Sequence, residues 1–380
     1  MKKVVNRAIL RSLFVGCLLT LGCHTTLGQS VSVTRLNGAQ PIISMQTFLD
    51  ADYPEKDGEN INGPSLIKLP DWLPVAQRVN AKAKYYLYFA HHNGNYLRLA
   101  WSERVTGPYH LVGDSPLYGS YRKAVLALED IPNPLGKVRT GNHLASPIVI
   151  VDDANKQFKL YYHAPVRIVR TDKSAGQVTC FATSKTGLQF EKQIAPTYLG
   201  MFYFSPFQVH NRWYAYTNHG YMFRAPLGGE LAKEPGFDLE KPLWENMGKQ
   251  FAGVIADYCK KKGIDQPFGV RHLSQVQVGN QLHVFFSSRD DAPERLYHTC
   301  IDVTSSDCKQ WKMGDLELVM QAEEKWEGAD VPVKKSFNGP SHSRLNEIRD
   351  TFVYAEGGKY YLFYCGGGEK GIGIAEITLK

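Results

Sequence analysis

The sequence predicts an all-β chain folded as a five-bladed β-propeller, on three observations. One phrase recurs five times: a short strand, a tight turn, an aromatic strand, a polar loop and a third strand. Aromatic residues make up 12% of the 380, and 34 are glycine, a balance that suits turn-rich sheets. Beyond the N-terminus no long stretch repeats its apolar residues at helical period. Repeats of roughly 40 to 50 residues with four short strands apiece mark propeller blades. Blades cannot stand alone, so one propeller domain is expected from a length that would allow several.

In chain order, residues 1–28 read as an export leader, 29–59 as a lead-in and 60–380 as the propeller. Basic MKKVVNRAILR precedes an apolar core over residues 12–22, too short to span a membrane as an ordinary helix. Cleavage after Gly28 places Thr26 and Gly28 at the small-residue positions. The alternative is LTLGC with Cys23 as a lipidated first residue, weakened by Thr20 where an aliphatic residue is usual. The expectation is export to the periplasm, the exterior or the outer membrane of a bacterium, with a lipid anchor left open. Removing the leader with its four cations Lys2, Lys3, Arg7 and Arg11 takes the formal charge from +7 to +3, too little to argue for nucleic acid.

The lead-in carries one strand-like piece, residues 31–36, expected to complete the last blade and close the ring. Blade one covers about 60–112, and residues 118–140 form an excursion holding KAVLALED, a short helix or a hairpin. Blade two is about 143–194 and blade three about 202–226, followed by an irregular segment with a helix over 245–262. Blade four is about 270–313. Residues 316–343 then connect to blade five, which is the clearest copy. There Thr351–Ala355 and Lys359–Tyr364 flank a Gly357–Gly358 turn, and a glycine-rich loop leads to Ile372–Ile377. Of five cysteines after Gly28, Cys300 and Cys308 flank a loop that a disulfide would clasp, with unpaired buried thiols as the equal alternative. No Cys/His spacing suggests zinc.

Propeller geometry sorts the polar residues. Inner strands start at the central cavity on one face, and the loop between second and third strands returns to that face. Inner-strand starts offer Asn60, Asn62, His143, Ser146, Tyr203, Ser205, Arg271, His272, Arg349 and Asp350. Returning loops offer His91, His92, Asn93, Asn95, His163, Arg167, Asn218, His219, Arg289, Asp290, Asp291, Glu294, Arg295 and Glu369. Such convergence describes a funnel-shaped ligand pocket. Trp72, Trp213, Trp244 and Trp326 are candidates for stacking on a ligand's face, with core packing the commoner role.

From residue 60 onward the chain resembles the five-bladed propeller glycosidases, the superfamily of glycoside hydrolase families 43, 32, 68 and 117. NGPSL, SPIVIV and IRDTFV stand at inner-strand starts where those enzymes carry Asp-Pro or Arg-Asp-Pro. AWSERVTGPYHL and ATSKTGLQFEK look like the family's outer-strand phrases. The resemblance implies hydrolysis of a glycosidic bond by a carboxylic acid and a second carboxylate working as base or nucleophile. The chain departs from the pattern at Gly63, where Asp is usual, and at Ile148, where an acid often stands. The expected catalytic set is therefore Asp350 with Glu294 or Asp290, and Glu327 and Asp330 are further acids able to reach inward. His91, His92, Asn62, His163, Arg271, His272, Arg289 and Arg349 are expected to hold the substrate, a plant or algal polysaccharide or its oligosaccharides. The alternative is a carbohydrate-binding propeller that has lost part of its carboxylate set. No cofactor or partner protein is implied; the resemblance allows a structural calcium, though no Asp/Asn-rich loop demands one.

Overall fold

Five antiparallel sheets follow one another along the chain, and the fifth is completed from the other end. The computed structural model describes residues 31–92, 94, 96–113, 125–127, 138–140, 143–168, 171, 174–191, 202–225 and 245–379. Residues 1–30 (the expected leader among them), Asn93, Asn95, Trp244 and most of the 118–140 excursion lie outside these residues.

Blade one consists of Asn62–Lys68, Tyr85–Ala90, Tyr96–Ser102 and His110–Leu111, with Leu126–Ala127 added beside the third strand. Blade two is built on Ala145–Asp152, Gln157–Ile168 and Ser174–Ser184, and Val138–Thr140 pairs with the end of its second strand. Blade three comprises Ser205–Val209, Arg212–Tyr216 and Met222–Arg224. Blade four comprises Gly269–Val278, Gln281–Arg289 and Leu296–Asp302, with two short strands on the outer side of the third. Ile348–Glu356, Lys359–Gly366 and Gly371–Leu379 make blade five. The helix Glu245–Lys262 forms where the sequence places it. It buries Met247, Phe251, Ile255 and Tyr258 among Tyr216, Phe286, Tyr297 and Trp311, joining blades three and four.

The strand Val31–Arg35 closes the ring by pairing antiparallel with Gly371–Leu379, Val31 opposite Leu379 and Arg35 opposite Ala375. Arg35 then reaches back to Glu327: Nε donates to Oε1 and Nη2 to Oε2, each at 2.9 Å. Tyr364 donates to the same carboxylate at 2.7 Å, and the Glu323 and Glu324 amides add 2.8 and 3.1 Å bonds. Glu327 is thus a latch on the closing strand and not an axial group, and its carboxyl is held below its ordinary value: burial raises it, but Arg35, the amides and Tyr364 outweigh that. Asp330, the second acid of that segment, pairs with Arg344 at the surface.

Neighbouring inner strands are pinned by hydroxyls. Ser65 accepts from the Val149 amide at 3.0 Å, and Ser274 from the Val353 amide at 2.6 Å. All five cysteines of the described chain are free thiols. Cys300 and Cys308 are not joined: Cys300 faces Gln281 at 2.9 Å, and the loop between them is held by Trp311 donating to the Ser305 carbonyl at 2.7 Å.

Candidate functional site

The site begins with a backbone irregularity repeated from blade to blade. Gly63, Ser146, Tyr203 and Asp350 carry positive φ of 62°, 48°, 62° and 57° where the inner strands start. Ladder register slips there between Asn62 and Ser65, between Val270 and Leu273, and between Arg349 and Phe352. Bulges of this kind turn side chains out of the ladder, here toward the axis. Glycine at 63 has a second reason: a Cβ would lie 2.9 Å from the Ser146 Cα. The position where an acid was expected has no room for a side chain.

The five strand starts enclose an axial cavity, walled by Gly63, Ser146, Tyr203, Phe204, Ser205, His272, Leu273 and Asp350, with Pro64, Pro147 and Ile148. Only about 20 Å³ is open to the centre of a water molecule, room for about one water. Tyr203 forms part of its wall, its ring centroid 3.7 Å from that of His272. His272 links two walls: Nε2 lies 3.2 Å from Ser146 Oγ and Nδ1 lies 2.5 Å from Asp350 Oδ1. The Gly63 amide donates to the other Asp350 oxygen at 3.2 Å. Burial draws His272 below its usual value, so the ring is neutral near pH 7 despite Asp350. Burial pushes Asp350 the other way, but His272 and Arg271 hold it below its ordinary value, and it stays ionised.

Behind this cavity lies a buried ionic cluster. Arg271 Nη1 and Arg349 Nη2 each stand 3.2 Å from Glu294 Oε2. Arg349 also meets Glu347 at 2.6 Å and Glu369 at 3.1 Å. Phe337 and Gly339 carbonyls accept from Arg271 at 3.1 and 3.2 Å. Counting Asp350, four carboxylates face two guanidiniums, so negative charge is in excess. Glu294 absorbs part of it: burial first, then Glu347 and Asp350, push its carboxyl up to about 7 against the pull of the arginines. Glu369 is held well below its usual range, because His92, Arg349 and Asn60 outweigh its burial. Its partners are His92 Nδ1 at 3.0 Å and Asn60 Nδ2 at 2.5 Å.

Of the residues expected from sequence, Asp350 and His272 face the cavity. Glu294, Arg271 and Arg349 form the cluster beside it, and His92 joins through Glu369. His163 is buried beside His92 and His143. Asp290 is set apart: it turns to the surface and lies 3.6 Å from Arg289 Nε, while Arg289 Nη2 meets His219 Nδ1 at 3.2 Å. The loop carries its acids in two directions, because Asp291 is taken up by Arg295, Ser288 and Tyr297. His91 Nε2 donates to the Lys56 carbonyl at 3.1 Å, a backbone tie outside the cavity. Asn62 is buried with its Oδ1 lacking a hydrogen bond among the described residues. Trp72 donates to Asp153 and Trp326 to the Ala39 carbonyl, and both pack on aromatic neighbours. Glu347 was missed altogether, since it precedes the strand and nothing in its spacing marks it. Ser146 and Tyr203 did have a signal, their place at an inner-strand start.

No family model matches the chain. An uncharacterised protein of Acanthamoeba polyphaga mimivirus is 28% identical over 327 residues, 84% of this chain and 83% of that protein. Among solved structures, a thermostable family-43 glycoside hydrolase is 12% identical, covers 84% of this chain and 88% of its own, and has a TM-score of 0.48. A family-43 β-xylosidase/α-arabinofuranosidase from a compost microbial metagenome, solved with xylotriose, is 13% identical over 92% of this chain and 94% of its own, with a TM-score of 0.47. The blade count itself stands on this chain's own five sheets.

Proposed function

We propose that the chain is an exported, carbohydrate-binding propeller that keeps the frame of the glycosidases its strand phrases resemble, without a working pair of carboxylates. One observation carries this: among the described residues, Asp350 is the single carboxylate lining the axial cavity. Glycoside hydrolysis needs two, placed on either side of the bond about 5–9.5 Å apart. Gly63 leaves no space for the acid on blade one, and Glu294 is sealed between two arginines. What faces the cavity suits recognition: Ser146, Ser205 and His272 as hydrogen-bonding groups, and Tyr203 as a ring for a sugar to displace or stack on.

Hydrolysis is the second reading, and one fact favours it. Glu294 and Asp350 have been pushed in opposite directions, the pattern by which an acid and a base are told apart. Calorimetry and product analysis on one panel of plant and algal oligosaccharides separate the two. Binding predicts affinity without turnover, and an Asp350→Asn variant within about threefold of wild type. Turnover that disappears in both Asp350→Asn and Glu294→Gln would reverse the conclusion.

A further inference from the structure

Three histidines from two blades meet beside the ionic cluster. His92 follows the second strand of blade one. His143 stands just before the inner strand of blade two, and His163 lies within its second strand, opposite Ala145. Ring centroids are 5.5 Å apart for His92–His143 and His143–His163, and 6.4 Å for His92–His163. One nitrogen from each lies within 4.8 Å of the others.

Two features set this group apart from a packed core. His163 is 1% exposed, yet neither of its ring nitrogens has a hydrogen-bond partner among the described residues, and His143 Nε2 is likewise buried without one. Buried polar atoms are ordinarily satisfied, and leaving one bare is destabilising by about 1–3 kcal/mol. His92, by contrast, is oriented from behind: Glu369 takes Nδ1 at 3.0 Å and is itself fixed by Asn60 and Arg349. A carboxylate behind one ring nitrogen, with the other turned inward, is how metal-binding histidines are held.

We propose that His92, His143 and His163 form a binding site for a first-row divalent cation, Zn²⁺ foremost. Imidazole nitrogens suit Zn²⁺, Co²⁺ or Ni²⁺ and not the hard, oxygen-seeking Ca²⁺. Zinc–nitrogen bonds of about 2.0–2.1 Å ask the rings to draw together by about 1 Å. Three imidazoles leave a place in a tetrahedral shell for a water or a ligand oxygen. The Tyr203 ring lies 5.2 Å from His163 and 3.7 Å from His272, so the same side chain borders this site and the axial cavity. The site stands whether or not that cavity binds sugar. The three ligands are far apart in sequence and on separate elements, so no short spacing announces them.

The test uses the mature chain without a polyhistidine tag, stripped with a chelator and titrated with Zn²⁺, Co²⁺ and Ca²⁺ alone. Wild type should take up one Zn²⁺ per chain, gain thermal stability from it, and give Co²⁺ the visible absorption of a tetrahedral nitrogen site. His143→Ala should bind Zn²⁺ at least tenfold more weakly, and Glu369→Gln should weaken it about 10–100-fold. Circular dichroism confirms that each variant is folded; His143→Gln replaces His143→Ala if it is not. Failure of the wild type to take up Zn²⁺ or Co²⁺ stoichiometrically, uptake of Ca²⁺ in their place, or uptake unchanged in the folded His143 variant would each overturn the proposal.

Discussion

At Gly63 a missing side chain and a distorted backbone are the same fact. Sequence shows an acid absent before Pro64; the structure shows why, with Ser146 pressed against the glycine and φ at 62°. Restoring the acid should therefore not restore chemistry. Gly63→Asp is expected to lower stability by roughly 1–3 kcal/mol, read as a shift in the urea midpoint, with no gain in turnover. Glu294 gives a second test. Its folded-state carboxyl sits near 7 and its unfolded one near the ordinary 4.5, so the folded chain holds more protons between those values. The stability this contributes is present at acid pH and lost as pH rises through about 7. Unfolding at pH 5 and pH 8 should show wild type weakening relative to Glu294→Gln, by roughly 1–3 kcal/mol; a parallel response in both proteins would refute it. Arg349 is the opposite case. Arg349→Leu strips three carboxylates of a shared partner and should lose at least about 3 kcal/mol or fail to fold.

Elements were more legible than sites. Blade five could be read nearly strand for strand, because Gly357 and Gly358 take the positive φ of a tight hairpin turn and aromatics alternate on either side. The helix over 245–262 and the closing role of residues 31–35 were also visible. The acids of RDDAPER were not sortable. Asp290, Asp291 and Glu294 are neighbours in sequence, yet a left-handed Asp290 and the arginines decide separately which one turns inward. Glu327 misled for a similar reason: a place just ahead of blade five marks an acid within reach of the axis but not which element it serves. Its link to Arg35 makes a prediction for the closing strand. Arg35→Ala leaves the Glu327 carboxylate buried without its cation and should destabilise by about 3 kcal/mol, whereas an exposed pair such as Lys68–Glu356 should contribute under about 1 kcal/mol. Urea midpoints of the two alanine variants compare them directly.

For the molecule as a whole, five sheets around an axis give one face where strand starts and returning loops meet, and the buried charge gathers there. Export remains a proposal drawn from the basic and apolar leader. Mass spectrometry of the secreted or periplasmic chain should find Gln29 as its first residue; a lipid-modified Cys23 would replace that cleavage site with an anchor. Tyr203→Ala should enlarge the axial cavity and change oligosaccharide affinity more than it changes stability, measured by calorimetry beside a thermal melt.

The pairing of Val31 with Leu379 also bears on how such a chain comes into being. A nascent chain cannot make this pairing until Gly371–Leu379, some 340 residues after Val31, has been synthesised. Until then one strand waits with its backbone groups unpaired, and an unpaired strand is a template for association with other chains. Contacts between distant parts of a chain also form slowly. Val31–Arg35 is then a strand made early that finds its place late. The open ring is then the species most in need of a chaperone, and a high local concentration of unfinished chains the condition most apt to trap it.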